Sequence, residues 1–204
     1  MDDPDLGLLT RWRAGDRAAG QALFGRYFDS LYRFFRNKCE ADADELVQAT
    51  LLACLDAKRP FRGDSRFRTY LFGIARNKLY HHFAARKRGG ALDFSVTSIA
   101  DLVTTPGTAL ARDQAHRALL TALRQLPLEQ QTLLELHYWE DMGIAELAQI
   151  FDSPAATIRT RLHRARKALR EQVEAAAPRE ALETLETMDA WARGLGPVGE
   201  PKAR

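Results

Sequence analysis

A basic helix that follows a short apolar helix and a tight turn most constrains what this chain can fold into. Residues 152–170 read DSPAATIRTRLHRARKALR, a turn followed by a helical stretch with six Lys or Arg residues and no acid. The preceding residues, 144–151, have the apolar pattern of a short helix. Helix, tight turn and basic helix is the arrangement of a helix-turn-helix, whose second helix enters the DNA major groove. A solvated basic face would explain an isolated charge run, but the first helix and the turn favour DNA binding.

A second basic block lies far from the first in sequence. The formal net charge is only +3, but residues 59–88 hold nine Lys or Arg against one acid, Asp64. The acids concentrate elsewhere, for example at the N-terminus and in residues 171–186. Two separate basic regions indicate two contacts with a polyanion.

Several classes of protein are disfavoured. Cys39 and Cys54 have neither CxxC spacing nor a nearby histidine, so neither a zinc site nor a disulfide is predicted, and no cofactor is expected. No apolar run approaches the roughly 20 residues that span a bilayer, so no membrane insertion is expected. The N-terminus, MDDPDLGLL, lacks the basic start of a secretory signal. These features predict a cytoplasmic protein.

Helical periodicity dominates, and no segment alternates as a strand does. The predicted fold class is all-α: two small helical domains joined by a flexible linker, the second containing the helix-turn-helix, plus a C-terminal extension. The predicted boundaries are 1–88 for the first domain, 89–108 for the linker, 109–173 for the second domain and 174–204 for the extension. Helices are expected at 5–14, 17–38, 43–57, 66–88, 112–126, 128–138, 144–151 and 180–192. A further helix is expected within the basic stretch at 152–170.

Three ordered motifs carry a resemblance to a known family. Residues 42–51 read DADELVQATL, similar to a D-x-x-D-L-V-Q-E-x-F signature, and residues 61–77 read FRGDSRFRTYLFGIARN, nearly complete against F-R-G-D-S-x-F-x-T-W-L-x-x-I-A-R-N. Leu126-Pro127 and residues 157–166 resemble the family's second-domain opening and its T-V-x-S-R-L-x-R-A-R signature. Over about residues 6–173 the chain resembles the extracytoplasmic-function (group IV) sigma factors of bacterial RNA polymerase.

The resemblance implies that the first domain melts and reads the minus-ten promoter element. Holding an unstacked base needs cations along the backbone and a pocket with stacking and polar edges. Phe61 and Phe67 lie among the polar residues of the FRGDSRFR stretch. Core packing is the preferred interpretation for Phe67. The residues expected at the minus-ten element are Arg62, Asp64, Ser65, Arg66, Arg68, Tyr70, Arg76, Asn77, Lys78 and His81.

The family also implies two further contacts. A polymerase-binding surface, which docks on a coiled coil of the largest polymerase subunit, would be formed by Asp44, Glu45, Leu46, Val47 and Gln48. The minus-thirty-five element would be contacted by Ala155, Ala156, Thr157, Arg159, Thr160, Arg161, Arg164 and Lys167. In this interpretation the first five of these reach base edges, and Arg161, Arg164 and Lys167 contact phosphates.

The expected partners are core RNA polymerase, promoter DNA and an anti-sigma factor, and no catalysis is expected. Three departures from the family pattern bear on partner strength: Ala49 replaces Glu, Tyr70 replaces Trp and Gln131 replaces Arg. A self-sufficient helix-turn-helix regulator is the alternative, but it leaves the FRGDSRFRTYL stretch unexplained. An enzyme is disfavoured because no paired carboxylates or activated nucleophile are evident.

Overall fold

In a computed structural model, the structure describes residues 3–54, 61, 65–86, 92–102 and 114–176, with side chains in the last range described for 119–175. These residues are helices, turns and one isolated bridge between Ser98 and Pro127. The chain divides into two compact units. The first comprises Met1–His82 with Gln149–Asp152, and the second comprises Phe83–Ala148 with Ser153–Arg204. The predicted all-α class, with two helical regions, is confirmed.

Nine α-helices are assigned among the described residues. They are α1 (Pro4–Arg13), α2 (Arg17–Cys39), α3 (Ala43–Ala53), α4 (Phe67–Arg86), α5 (Ile99–Leu102), α6 (Gln114–Gln125), α7 (Leu128–Tyr138), α8 (Ile144–Ile150) and α9 (Ala155–Ala176), with a 3-10 turn at Glu40–Asp42. Their bounds lie close to those expected from periodicity, except that α9 runs six residues beyond the predicted basic stretch. The helix expected at 180–192 lies outside the described residues.

The core of the first unit is formed by an apolar stripe on α2 and by one face of α4. Leu23, Leu31 and Phe35 are fully buried, as their four-residue repeat predicts. Phe34 meets Phe72 of α4 edge to face, with ring centroids 5.7 Å apart. Phe28 of the same helix keeps 44% of its surface exposed and is not part of this core.

Helix α1 is fastened to α2 through a buried carboxylate. Asp5 is only 3% exposed and accepts hydrogen bonds from Arg26, at 2.7 Å, and from the Tyr27 hydroxyl. Burial raises the pKa of Tyr27, and the hydrogen bond and negative charge of Asp5 raise it further. The acids at the N-terminus therefore contribute to the fold rather than only to surface charge.

Part of the predicted linker has more structure than its composition suggested. The backbone at Asp93–Thr97 turns, and α5 follows with Ile99 fully buried. The amide of Leu128 donates to the carbonyl of Thr97 at 2.9 Å, which ties this segment to the start of α7. Residues 92–102 thus belong to the second unit.

The core of the second unit lies between α6, α7 and α9. Helix α7 buries Leu133, Leu134 and Leu136 with exposures of 0–2%. Helix α9 buries every third or fourth residue along its length: Ile158, Leu162, Ala165, Leu169 and Val173. This pattern fixes which side of α9 faces α7 and which side faces solvent.

Candidate nucleic-acid interface

The helix-turn-helix predicted from the sequence is present. Helix α8 ends at Ile150 and α9 begins at Ala155. Between them Asp152 adopts a φ of 47°, a left-handed conformation that Asp tolerates better than most residues. The turn is closed by the amide of Ser153, which donates to the carbonyl of Ala148 at 3.0 Å.

The first turns of α9 present short and polar side chains. Ala156, Arg159 and Thr160 are exposed, whereas Ala155 and Thr157 are half-buried. The hydroxyl of Thr160 donates to the carbonyl of Ala156 at 3.2 Å, so it has a partner within the helix. Residues near the start of a recognition helix are those that reach base edges in a groove, and the use of this end of α9 to do so stays a prediction.

The basic residues farther along α9 differ in their partners. Arg164 is exposed, and Lys167 is exposed with only a 3.8 Å ion pair to Glu171. Arg161 instead forms a 2.7 Å ion pair with Glu129 of α7. The phosphate contact predicted for Arg161 would therefore have to compete with a carboxylate of its own unit.

Arg166 holds α9 against α7 and is a residue to which the sequence interpretation assigned no role. Its Nε donates to the Tyr138 hydroxyl at 2.6 Å, and its Nη2 lies 3.1 Å from Nε2 of His137. The other histidine nitrogen, Nδ1, lies 3.0 Å from the carbonyl of Met142. A carbonyl only accepts, so Nδ1 carries the proton and Nε2 accepts from Arg166. The chain Met142–His137–Arg166 links the turn before α8 to the recognition helix.

Gln131, which departs from the family pattern, is built into the core of the second unit. It is 1% exposed, and its side-chain amide donates to Glu135 at 2.7 Å. Glu135 is 3% exposed. The neutral amide at this position gives the buried Glu135 a hydrogen-bond donor without adding the charge of an arginine to the core.

On α3 the predicted polymerase-binding residues separate by burial. Asp44, Glu45 and Gln48 are exposed, whereas Leu46 is 6% exposed and Val47 is fully buried. The side chains of Leu46 and Val47 pack into the core of the first unit, and their part in docking stays a prediction. The surface available for docking is polar at these positions.

Helix α4 carries most of the described residues of the predicted minus-ten site, but on different faces. Tyr70, Asn77, Lys78 and His81 fall on one face, because they are spaced by seven, eight and eleven residues. Arg68 and Arg76 lie off that face. The Arg76 guanidinium lies over the Tyr80 ring, 4.5 Å from its centroid.

The residues just before α4 are described only in part. Ser65 is half-buried and Arg66 is exposed, whereas Arg62 and Asp64 lie outside the described residues. Phe61 packs edge to face on Phe67, with centroids 5.9 Å apart. Both rings are buried, so the core role expected for Phe67 extends to Phe61.

Comparison with known proteins matches both units to one family. Residues 23–89 match the family model of Sigma-70 region 2, and residues 116–169 match that of Sigma-70, region 4. The RNA polymerase sigma-H factor of Pseudomonas aeruginosa is 29% identical over 182 residues, covering 82% of this chain and 92% of that protein. The chain belongs to the extracytoplasmic-function sigma factors.

Other relatives agree with this assignment. The ECF RNA polymerase sigma-E factors of Haemophilus influenzae and Escherichia coli are each 26% identical over 180 residues, which is 83% of this chain and 95% and 94% of theirs. Among solved structures, the co-crystal structure of the sigma factor RpoE with the anti-sigma factor NepR from Bartonella quintana contains a similar chain. It is 22% identical with a TM-score of 0.57, covers 79% of this chain and 99% of its own, and supports the fold.

Leu52 is a surface residue that the sequence interpretation missed. It is the most exposed residue of α3 among the large apolar ones, with 64% of its surface accessible. It lies four residues after Gln48 and eight after Asp44, so it continues their exposed face. That spacing was the available signal, but in the sequence Leu52 follows Leu51 directly and equally fits an apolar core position.

Two further features concern the described residues alone. None of the helices in the described ranges is long and apolar enough to cross a membrane. Across the same ranges, no group of three or more His, Cys, Asp or Glu side chains is placed to hold a metal ion.

Proposed function

We propose that this sigma factor binds core RNA polymerase through α3 and directs it to promoters whose minus-ten and minus-thirty-five elements are read by the first and second units. In this role it helps to melt the DNA and has no catalysis of its own. The observation that carries the proposal is the presence of region 2 and region 4 matches, in that order, in one chain. It would act in the cytoplasm, where the polymerase is.

The second unit is proposed to contact the minus-thirty-five element through α9. The exposed residues of its first turns, with Arg159 the only cation among them, would read base edges. Arg164 and Lys167 would contact phosphates, and Arg161 would do so after leaving Glu129. The opposite side of α9 is buried, which restricts the groove-facing side to these residues.

The first unit is proposed to contact the minus-ten element with the α4 face that carries Tyr70, Asn77, Lys78 and His81, together with Ser65 and Arg66. Arg62 and Asp64 are included on the strength of the sequence signature alone. An aromatic ring beside polar and cationic groups suits a single strand with an unstacked base. Arg68 and Arg76 lie off this face and would contact the phosphate backbone of the duplex.

The proposed docking surface on α3 combines acceptors with one apolar contact. Asp44, Glu45 and Gln48 offer oxygens to basic groups of the polymerase coiled coil, and Leu52 adds apolar area beside them. Replacing Leu52 with Gln should weaken binding to core polymerase without unfolding the protein, because the side chain is exposed. Val96→Gln, at a residue 69% exposed in the second unit, is the matched control and should bind core polymerase as the wild type does.

Because RpoE of Bartonella quintana was solved with an anti-sigma factor, we extend the proposal to an inhibitory partner of that class for this chain. Such a partner would hold the factor away from the polymerase. Co-purification with a candidate anti-sigma protein, and loss of transcription when it is added, would test this part separately.

Transcription in vitro tests the main proposal. Purified protein, bacterial core RNA polymerase and the DNA upstream of the chain's own gene should give a defined start site only when both proteins are present. Arg159→Ala should reduce that transcript by about five- to a hundredfold, the range for loss of one arginine–base contact. Arg170→Ala removes the same charge from the far end of α9 and should change little. Tight, sequence-specific duplex binding by the protein alone, with no transcript, would favour the self-sufficient regulator instead.

A further inference from the structure

Helix α1 contacts the described residues that lie on either side of positions 62–64. On one side, Oδ2 of Asp3 accepts a hydrogen bond from the backbone amide of Phe67, the first residue of α4, at 2.6 Å. On the other side, both terminal nitrogens of Arg13 donate to the carbonyl of Phe61, at 3.4 and 3.5 Å. The two ends of this helix thus hold Phe61 and Phe67, which lie on either side of positions 62–64.

Asp3 caps two helices with one carboxylate. Its Oδ1 accepts from the amide of Asp5 at 3.0 Å and so caps α1, while Oδ2 caps α4. The first amides of a helix have no partner within the helix, and a carboxylate there satisfies them and complements the helix dipole. Asp3 is only 8% exposed, so water competes little for either bond. The starts of α1 and α4 are therefore joined through a single side chain.

The position of α1 is itself fixed, which makes it a firm support. Asp5 is bonded to Arg26 and to the hydroxyl of Tyr27. The ring of Tyr27 in turn packs on the ring of Phe67, with centroids 5.8 Å apart. The backbone and the ring of Phe67 are thus both held by contacts that begin on α1.

The rings of Phe61 and Phe67 pack on the ring of Tyr70, a residue proposed to contact DNA. The ring of Phe61 lies 5.3 Å from that of Tyr70, and the ring of Phe67 lies 6.3 Å from it. Tyr70 is half-buried and begins the α4 face that continues with the exposed Asn77 and His81. A small shift of Phe61 or Phe67 would therefore move Tyr70 and the first turn of α4.

We propose that Asp3 and Arg13 are positioning residues for promoter melting: they hold Phe61 and the start of α4 in the arrangement that captures an unpaired base. The inference rests on the proposed function, because it assigns α1 to the site that reads the minus-ten element. Neither residue contacts DNA in this role. Capture offsets the cost of unpairing only when the receiving groups are already in place, so a loosened support slows melting more than it weakens initial binding.

The test compares two templates with the complete holoenzyme. One is a duplex promoter selected from a randomised library by the wild-type holoenzyme, and the other is the same DNA with a mismatched bubble across its minus-ten element. Asp3→Ala should slow open-complex formation by about tenfold on the duplex but by about twofold or less on the bubble, where unpairing is already done. An equal loss on both templates would indicate general damage to the fold and would overturn the inference.

Matched variants separate positioning from stability. Asp16→Ala removes the cap of α2 in the same unit, where Asp16 accepts from the amide of Ala19 at 3.1 Å, but it touches neither Phe61 nor Phe67. It should leave melting near the wild-type rate, and a defect equal to that of Asp3→Ala would overturn the inference. Arg13→Gln should show a weaker form of the Asp3→Ala defect, whereas Arg11→Gln, which removes the same charge from the same helix, should not.

The result also distinguishes this inference from the proposed function. A wild-type holoenzyme that selects no promoter from the randomised library would overturn the proposed function and the inference with it. An active wild type with an equally active Asp3→Ala variant would overturn the inference alone.

Discussion

The two helices proposed to face DNA are held in place by different kinds of group. Helix α9 is fastened by its own arginine, because Arg166 bonds to Tyr138 and His137 of α7. Helix α4 is fastened at its first amide by the carboxylate of Asp3 and at its first turns by aromatic rings. In α9 one residue type serves both the fold and the proposed DNA contact, whereas in α4 the supporting residues are acids and aromatics.

This difference matters for interpreting charge. A basic run such as that of α9 does not reveal which cations are available to a polyanion. Arg166 and Arg161 have partners on α7, while Arg159, Arg164 and Lys167 project outward. Acids can mislead in the opposite direction, since Asp3 and Asp5 are buried supports although they begin a chain segment that looks like a solvated acidic end.

Arg166→Met, compared with Arg164→Met, is expected to give the largest effect. Removing Arg166 leaves the buried Tyr138 hydroxyl without that donor, so the second unit should lose about 1–3 kcal/mol of stability. Arg164 is exposed, so its loss should change stability by less than about 0.5 kcal/mol but should reduce the salt dependence of duplex binding by about one unit of slope. Hydrogen exchange of second-unit amides and salt-dependent binding measure the two effects.

The distinction between an anchoring arginine and a DNA-contacting arginine would fail if Arg166→Met and Arg164→Met had the same effects. Equal stability losses would mean that Arg166 does not anchor α9. A weaker salt slope for Arg166→Met at unchanged stability would assign Arg166 to DNA contact instead.

Gly20→Ala, compared with Gly25→Ala, tests the packing of α1 on α2, which supports α4 in the first unit. A Cβ at Gly20 would lie 2.4 Å from Cδ1 of Trp12, so α1 and α2 would have to separate or the indole would have to move. Such overpacking costs about 1–3 kcal/mol, and the displaced α1 should also slow promoter melting. A Cβ at Gly25 meets nothing within 4 Å, so that change should be neutral or stabilising by up to about 1 kcal/mol.

Urea unfolding monitored by circular dichroism, together with the two promoter templates, would measure this pair. Comparable stability of the two glycine variants would show that the packing of α1 on α2 is loose. In that case α1 would be a weaker support for α4 than Arg166 is for α9.

The boundaries of the helices were accessible from the sequence because local rules set them. Pro127 stops one helix and starts the next, so α7 was predicted at Leu128–Tyr138 as observed. The buried stripe of α2 followed from its four-residue repeat. By contrast, the structure of residues 92–102 depends on the bond between Thr97 and Leu128, which joins positions distant in sequence. Composition alone therefore described this segment as a linker.

The roles of individual side chains were harder to infer because they depend on tertiary partners. The motif names Leu46 and Val47 together with Asp44, Glu45 and Gln48, and only the structure separates the buried pair from the exposed Leu52 of the same helix. The pairing of Arg161 with Glu129 joins residues on different helices, so no spacing rule reveals it. Asp3 and Phe67 are separated by 64 positions, and their bond could not be predicted from either local sequence.

Glu129→Gln should have a smaller effect on stability. It tests whether Arg161, when its ion pair is removed, becomes available to contact DNA as Arg164 and Lys167 are. Arg161 is 39% exposed and Glu129 is 19% exposed, so the pair should contribute at most about 0.5–1 kcal/mol to stability. Without the carboxylate, Arg161 becomes available to a phosphate, so duplex affinity should rise with a salt slope steeper by about one unit. Glu171→Gln, next to the weakly paired Lys167, should change the affinity less. An unchanged slope for Glu129→Gln would show that Arg161 does not reach DNA even when free.

The smallest expected effect concerns an exposed capping carboxylate, that of Asp101, in contrast to the buried carboxylate of Asp3. Hydrogen bonds from the hydroxyl and then the amide of Ser98 hold the pKa of Asp101 below its ordinary value of 3.8. A lowered pKa in the folded state means that this carboxylate stabilises α5 above about pH 4, and that the contribution is lost as the pH falls through the lowered value. Ser98→Ala should move the pKa of Asp101 upward in an NMR titration and leave Asp93, whose pKa is lowered by Ser95, unchanged. If Asp101 of the wild type titrated at or above its ordinary pKa, the cap would be open in solution, and the order of residues 92–102 would then depend on Ile99 and the Thr97–Leu128 bond rather than on a carboxylate.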